Sequence, residues 1–175
     1  MEIVLRNLSN DEDMNLHLPM GESTLDNILV PDHEYIIVYH DRTLNVSEYD
    51  SIREVNDFLL SCKDDYATDE NTLEILSSNF LCREVMEMVR EGSYFLIDFT
   101  EATSGWNFRN GGDINSEEDK GRVLHENGMT FDWEKEHPIT EDMEDYIKWD
   151  CLWNTAESNG WVSFSHNGND YLVHR

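Results

Sequence analysis

The sequence predicts an α+β protein made of three small subdomains, and three observations lead to this class. Short runs rich in β-branched and aromatic residues, such as residues 34–40 (EYIIVYH), predict strands. Segments with apolar residues at helical spacing, such as residues 51–62, predict helices between those strands. The pair Asn167-Gly168 between two alternating runs predicts a closing β-hairpin.

Residues 1–62 are expected to form an N-terminal α/β subdomain. The expected elements are, in order, a strand at 2–7, an acidic loop at 10–13, a short helix at 23–29, a strand at 34–40 and a helix at 51–62. The last helix is the best defined of these, because Ser51 and Glu54 have the spacing of a capping box. Its apolar residues share one face: Ile52, Val55, Leu59 and Cys62.

Residues 63–92 are expected to form a short central helical subdomain. A polar turn at 63–68 precedes helices at 69–77 and 80–90, and Gly92 ends the second helix. Two short helices are not stable alone, so we expect this hairpin to pack on a neighbouring element.

Residues 93–175 are expected to form a C-terminal α+β subdomain that ends in the hairpin. The expected elements are a strand at 94–99, a long exposed excursion at 100–115, a helix at 116–127 capped by Ser116, an acidic turn at 140–147 begun by Thr140, a helix at 148–157, and strands at 160–165 and 170–174. Trp149 and Trp153 are one helical turn apart and are expected in the core, with a dimer interface as the alternative.

The chain is strongly acidic over its whole length. Among 175 residues, 38 are Asp or Glu and 12 are Lys or Arg, which gives a formal net charge of −26. Such a chain is repelled by phosphate backbones and anionic membranes, so we expect basic protein partners and no direct binding of nucleic acid or membrane. Since B-form DNA carries two charges per base pair, the net charge equals that of about 13 base pairs. Solubility or a halophilic origin would also explain the charge.

The sequence has no apolar run long enough to span a membrane and no secretory signal pattern, so a cytoplasmic protein is expected. The three cysteines, Cys62, Cys82 and Cys151, are interpreted as reduced residues of the core.

Sequence motifs of catalysis are absent. The chain has no HExxH, CxxC, GxSxG or phosphate-binding Gly-Lys-Ser/Thr pattern. The acidic alternation after Asp113 does not fit a calcium loop, because Gly121 comes too late and Leu124 occupies the position of the bidentate Glu. The seven histidines show no metal-ligand spacing. We therefore expect a protein that is not an enzyme and has no cofactor and no metal.

Several segments resemble ArdA-type antirestriction proteins. The opening residues 1–8 (MEIVLRNL), the Glu34-Tyr35-Ile36 strand and residues 48–56 (EYDSIREVN) are similar to the first domain of that family. Residues 141–149 (EDMEDYIKW), followed by a Trp/Phe-rich hairpin, are similar to its last domain, as is Glu91-Gly92-Ser93-Tyr94 before a strand.

This resemblance implies an elongated homodimer whose carboxylates imitate the phosphates of bent B-form DNA. Proteins of this kind are carried by mobile genetic elements and occupy the DNA-binding groove of type I restriction-modification enzymes, so that incoming DNA escapes cleavage. The expected partner is the basic groove of the methyltransferase core.

Four groups of carboxylates are the candidate contact surface. They are Asp11, Glu12 and Asp13; Glu48 and Asp50; Glu117, Glu118 and Asp119; and Asp142, Glu144 and Asp145. Taken singly, each group is better explained as a solvated face or a helix cap, and only the spacing of the groups together can indicate a contact surface. Two alternatives stay open: a mimic directed at a CRISPR nuclease, and an acidic interaction protein that mimics nothing or an enzyme with an unrecognised site.

Overall fold

The structure is a computed structural model that describes residues 1–64, 68–104, 108, 111–140 and 142–175. The chain divides into two compact units, Met1–Ser93 and Tyr94–Arg175. Each unit contains helices and one three-stranded antiparallel sheet. This confirms the predicted α+β class. The division into subdomains 1–62, 63–92 and 93–175 stays a prediction.

The sheet of the first unit has the strand order β2-β1-β3. Its strands are β1 (Glu2–Asn7), β2 (Glu12–His17) and β3 (Tyr35–His40). Strand β2 corrects the expectation of an acidic loop at 10–13, because Glu12 and Asp13 already pair with β1. The polar composition of β2 is tolerated because it is an edge strand, with Leu16 turned into the core.

The described residues of the first unit also form four helices: α1 (Glu22–Ile28), α2 (Ile52–Asp64), α3 (Glu70–Ser77) and α4 (Cys82–Glu91). Asp69 caps α3 by accepting a hydrogen bond from the backbone N–H of Thr72 at 2.8 Å. Gly92 ends α4 in the left-handed conformation that glycine allows, with φ of 59°. Helix α2 extends through Asp64, so the predicted turn at 63–68 begins later, and residues 65–67 lie outside the described residues.

Apolar residues from the sheet and from α2, α3 and α4 form the core of the first unit. They include Ile3, Leu5, Val55, Phe58, Leu76 and Val85, all almost fully buried. The fully buried Asn56 of α2 binds both backbone polar groups of Met20: its Oδ1 accepts from the Met20 N–H at 2.8 Å, and its Nδ2 donates to the Met20 carbonyl at 3.1 Å. This pair of hydrogen bonds joins α2 to the segment before α1.

The second unit has the strand order β4-β6-β5. Its elements are β4 (Phe95–Asp98), α5 (Phe99–Ala102), α6 (Glu117–Glu126), α7 (Trp149–Ser158), β5 (Trp161–His166) and β6 (Asn169–His174). Two short 3-10 turns lie before α7, at Asp132–Lys135 and Glu144–Tyr146. The predicted hairpin is confirmed, and both turn residues, Asn167 and Gly168, have positive φ.

The core of the second unit lies around Phe99, Val123, Leu124, Leu152, Trp153 and Leu172. Trp149 and Trp153 are 2 % and 1 % exposed, as the core interpretation predicts. The exposed excursion predicted at 100–115 is wrong in two respects. First, its opening residues belong to the helical turn α5. Second, Thr103 and Phe108 are buried, and the ring of Phe108 is part of the core. Residues 105–107 and 109–110 lie outside the described residues.

Within the described ranges, the chain contains no helix with the length and apolar character needed to cross a membrane.

Candidate functional site

The first carboxylate cluster lies where β1 turns into β2. Arg6 holds Asp13 with two hydrogen bonds, from Nε at 2.8 Å and from Nη2 at 3.0 Å, and lies 3.7 Å from Asp11. The hydrogen bonds from Arg6 hold the pKa of Asp13 below its ordinary value. Glu12 is exposed and accepts from Asn10 at 2.7 Å. The Arg6 guanidinium therefore contacts two of the three carboxylates, and the turn keeps a net negative charge.

The second cluster lies between β3 and α2. Glu48 is exposed, and its carboxylate raises the pKa of Tyr49 by accepting a hydrogen bond from the Tyr49 hydroxyl. Asp50 is half-buried and accepts from the backbone N–H of Ser47 at 2.7 Å. Asp50 thus shapes the turn, whereas Glu48 reaches solvent.

The third cluster is the first turn of α6. Ser116 caps the helix by accepting from the Asp119 N–H at 3.1 Å, as predicted. Asp119 is half-buried and accepts from the backbone N–H of Asp113 at 2.9 Å, so its carboxylate ties the preceding loop to the helix. Glu117 and Glu118 are exposed, and Glu117 accepts from Asn154 of α7 at 3.3 Å.

The fourth cluster surrounds the 3-10 turn before α7. Asp142, Glu144 and Asp145 are all exposed. The Thr140 hydroxyl donates to Asp142 at 2.5 Å, and the Thr140 carbonyl accepts from the Met143 N–H at 2.8 Å. Thr140 therefore begins this acidic turn, as the sequence predicts.

The structure places two clusters in each unit. The clusters around Asp13 and Glu48 belong to the first unit, and those around Glu118 and Glu144 belong to the second. Within the candidate set, only Asp50 and Asp119 are held partly away from solvent.

Several basic side chains lie over aromatic rings. The ammonium of Lys120 lies 4.2 Å from the centroid of the Trp153 ring, and Lys120 is only 8 % exposed. The guanidinium of Arg122 lies about 6 Å from the rings of Phe108 and Trp149. These contacts are cation–π interactions in which the cation faces the negative surface of the ring. Sequence reasoning missed them, because a lysine within an acidic helical turn is normally solvated.

A buried carboxylate with a histidine partner lies near Trp149. Glu134 is the one buried carboxylate among the acidic side chains whose burial the structure describes. Its Oε1 lies 2.7 Å from His125 Nε2, and its Oε2 accepts from the backbone N–H of Phe131 at 2.6 Å. The ring of His125 lies 4.8 Å from that of Trp149. These contacts tie the segment after α6 to the core, a structural role.

Cys151 corrects the expectation that all three cysteines lie in the core. Cys62 and Cys82 are buried, whereas Cys151 is exposed on α7. The helical period explains the difference, because Leu152 and Trp153 occupy the inner face next to it.

The described residues contain no group of His, Cys, Asp and Glu side chains arranged to hold a metal ion. The described clefts include one of about 330 Å³ between α2 and α4, lined by Asp50, Glu54 and Glu87 and also by Arg83 and Arg90. Another, of about 410 Å³, is mainly apolar and lies beside Phe95 and Trp161. Cys82 also lines the first cleft, but burial raises the pKa of its thiol to about 12, so we assign it no role as a nucleophile.

Comparison of the sequence with models of known protein families gives no match, and comparison with curated proteins gives none either.

Proposed function

We propose that this protein is a DNA mimic that inhibits type I restriction-modification enzymes by occupying their DNA-binding groove. The observation that carries the proposal is the exposure of carboxylates in all four clusters and in both units. A groove built to hold phosphates presents basic side chains at many points, and an inhibitor must meet them with distributed negative charge.

The environment of the Lys120 ammonium supports the same proposal. A net charge of −26 opposes folding through self-repulsion, and surface ion pairs are the usual relief. Here Lys120 instead lies against the ring of Trp153 in the second unit, and among the described residues it forms no ion pair. The exposed carboxylates of Glu117 and Glu118 are therefore not neutralised by this lysine.

The proposed inhibitor acts by stoichiometric occupation, as a cytoplasmic homodimer, and breaks or forms no covalent bond. It requires no cofactor. Screening by salt should weaken the complex steeply, because long-range attraction between charged surfaces falls with the Debye length.

A cleavage assay tests the proposal. A purified type I restriction enzyme is incubated with rising amounts of the protein before unmodified substrate DNA is added. We expect cleavage to stop at near-stoichiometric inhibitor and to return as salt is raised within the range that the enzyme tolerates. Full cleavage at a tenfold molar excess of the protein over the enzyme would reject this function.

A further inference from the structure

The position of Lys120 is unusual for its sequence context. Lys120 follows Glu117, Glu118 and Asp119 in the first turn of α6. Since Lys120 is three residues after Glu117, a solvated Lys120 side chain could form an ion pair with the Glu117 carboxylate. Instead its side chain is 8 % exposed and its ammonium lies over the Trp153 ring. Among the described residues, Lys120 forms no ion pair with a carboxylate.

Two features of the packing hold the side chain there. Trp153 is 1 % exposed and is fixed in the core of the second unit. Gly121, the residue after Lys120, lies against the backbone of Trp149, so that α6 and α7 approach closely. The ring of Trp153 is therefore within reach of a lysine on α6, and the aliphatic part of that lysine is buried along the way.

The acidic residues on the same turn have the opposite placement. Glu117 and Glu118 are exposed, although they precede Lys120 directly in sequence. The outer face of this turn consequently presents carboxylates without the neighbouring ammonium. A lysine side chain free to fold across Glu117 would instead compete with any basic partner for that carboxylate.

We propose that Lys120 is a positioning residue for the acidic face of α6: because its cation is held on Trp153, Glu118 and Glu117 are not paired with this lysine and can meet a basic partner, Glu117 with one hydrogen bond from Asn154 in place. This inference rests on the proposed function for the identity of that partner. The placement of the Lys120 ammonium on the Trp153 ring, away from the surface, does not depend on which partner the protein binds.

The first test measures the reactivity of lysine side chains in the native protein. The chain has four lysines, Lys63, Lys120, Lys135 and Lys148, of which Lys135 and Lys148 are exposed. After a short treatment with N-acetoxysuccinimide, peptide mass spectrometry gives each rate of acetylation. We expect Lys120 to react at least about tenfold more slowly than Lys148, because acylation requires local opening of the fold. Equal rates would overturn the inference.

The second test moves the cation without changing the net charge. In the double variant Lys120→Met/Asn115→Lys, a lysine stands at an exposed position two residues before Glu117. Methionine is unbranched and of similar length, so it preserves the contact with Trp153. The single variants Lys120→Met and Asn115→Lys serve as controls, and thermal melts establish that each variant is folded.

Binding is measured with a fluorescent decalysine peptide at low salt and then with the methyltransferase core. We expect Lys120→Met to bind decalysine within twofold of the wild type and the double variant to bind between about 1.5-fold and fivefold more weakly. Equal binding by the wild type and the double variant would overturn the inference. If decalysine discriminates between them but the methyltransferase core binds neither, the proposed target is rejected and the role of Lys120 stands.

Discussion

Gly121 of α6 lies directly against the backbone carbonyl of Trp149 at the start of α7: a Cβ atom on Gly121 would lie 1.9 Å from the Trp149 oxygen. Helix interiors disfavour glycine, which costs about 1 kcal/mol relative to alanine. The close approach of the two helices explains why glycine stands here.

Replacing Gly121 by alanine should therefore destabilise the protein, although alanine is the better helix former. We expect the free energy of unfolding to fall by about 3 kcal/mol or more, since the clash is with backbone that cannot rotate away. Urea denaturation measures the change. The control is Glu118→Ala, at an exposed position on the same helix, which should alter stability by no more than about 0.5 kcal/mol. An unchanged midpoint for Gly121→Ala would contradict the observed helix packing.

Removal of the Asn56 side chain tests a buried polar contact in the first unit. Asn56→Ala leaves the N–H and the carbonyl of Met20 without their partners, so we expect a loss of about 3 kcal/mol. The matched change Asn71→Ala, at an exposed position of α3, should change stability by less than about 0.5 kcal/mol. Similar losses in the two variants would show that the Asn56 hydrogen bonds contribute little.

Asp41 gives the stability of the first unit a defined dependence on pH. Burial raises the pKa of this carboxyl, but hydrogen bonds from the backbone N–H groups of Glu2 and Thr43 outweigh it, and the pKa lies below 3.8. Since the folded pKa is below the unfolded value, ionised Asp41 stabilises the fold above about pH 4, and this contribution is lost as the pH falls through the folded pKa. The stability difference between wild type and Asp41→Asn should therefore shrink below about pH 4.

The control for this pH series is Asp57→Asn, at an exposed position of α2. Its stability difference from the wild type, measured over the same pH range, is the baseline for the change seen with Asp41→Asn. A difference for Asp41→Asn that is unchanged between neutral pH and pH 2.5 would contradict the hydrogen bonding of Asp41.

The three cysteines should react with a thiol reagent at very different rates. Burial raises the pKa of Cys62 to about 11 and that of Cys82 to about 12, so both are protonated at pH 8 as well as shielded. Cys151 is exposed. We expect one equivalent of thiol to react rapidly with Ellman's reagent in the native protein and the other two to react after denaturation. The variant Cys151→Ser should abolish the rapid phase, and a remaining rapid phase would place another cysteine at the surface.

Neutralisation of carboxylates should weaken inhibition gradually. Because an exposed ion pair contributes about 0.2–1 kcal/mol, each single change among Glu12→Gln, Glu48→Gln, Glu118→Gln and Glu144→Gln should weaken inhibition by about 1.5-fold to fivefold. The four together should weaken it by about fivefold or more. Complete loss of inhibition from one folded single variant would contradict a distributed contact surface.

A charge-matched variant separates the clusters from the total charge. The changes Glu22→Gln, Glu34→Gln, Asp57→Asn and Glu157→Gln remove the same charge from exposed positions outside the clusters. We expect this variant to inhibit more strongly than the variant altered within the clusters. Equal inhibition by both would assign the effect to net charge alone.

Local sequence signals predicted most helices and the closing hairpin. Helix α2 follows from its capping residue and apolar spacing, and the hairpin follows from its Asn-Gly turn. Strand β2 is not evident from the sequence, because its polar residues give no apolar alternation. It is stable as an edge strand because it pairs with β1 and because Arg6 binds Asp13. Such support comes from another segment and is not visible in the strand itself.

The candidate surface was predictable only in part for the same reason. Exposed positions such as Glu118 follow from charge at the start of a helix, whereas the hydrogen bonds of Asp50 and Asp119 depend on the conformation of the preceding loops. The contact between Lys120 and Trp153 joins residues on two helices. Its detection requires the packing of α6 on α7, which no local pattern specifies.

An equilibrium competition measurement tests the central claim most directly. A type I methyltransferase core is bound to a fluorescent duplex, and the protein is added at low and at moderate salt while anisotropy is followed. The account predicts stoichiometric displacement of the duplex at low salt and weaker displacement at moderate salt, because both ligands need the same basic groove. A duplex that stays bound at micromolar concentrations of the protein, at both salt concentrations, would contradict it.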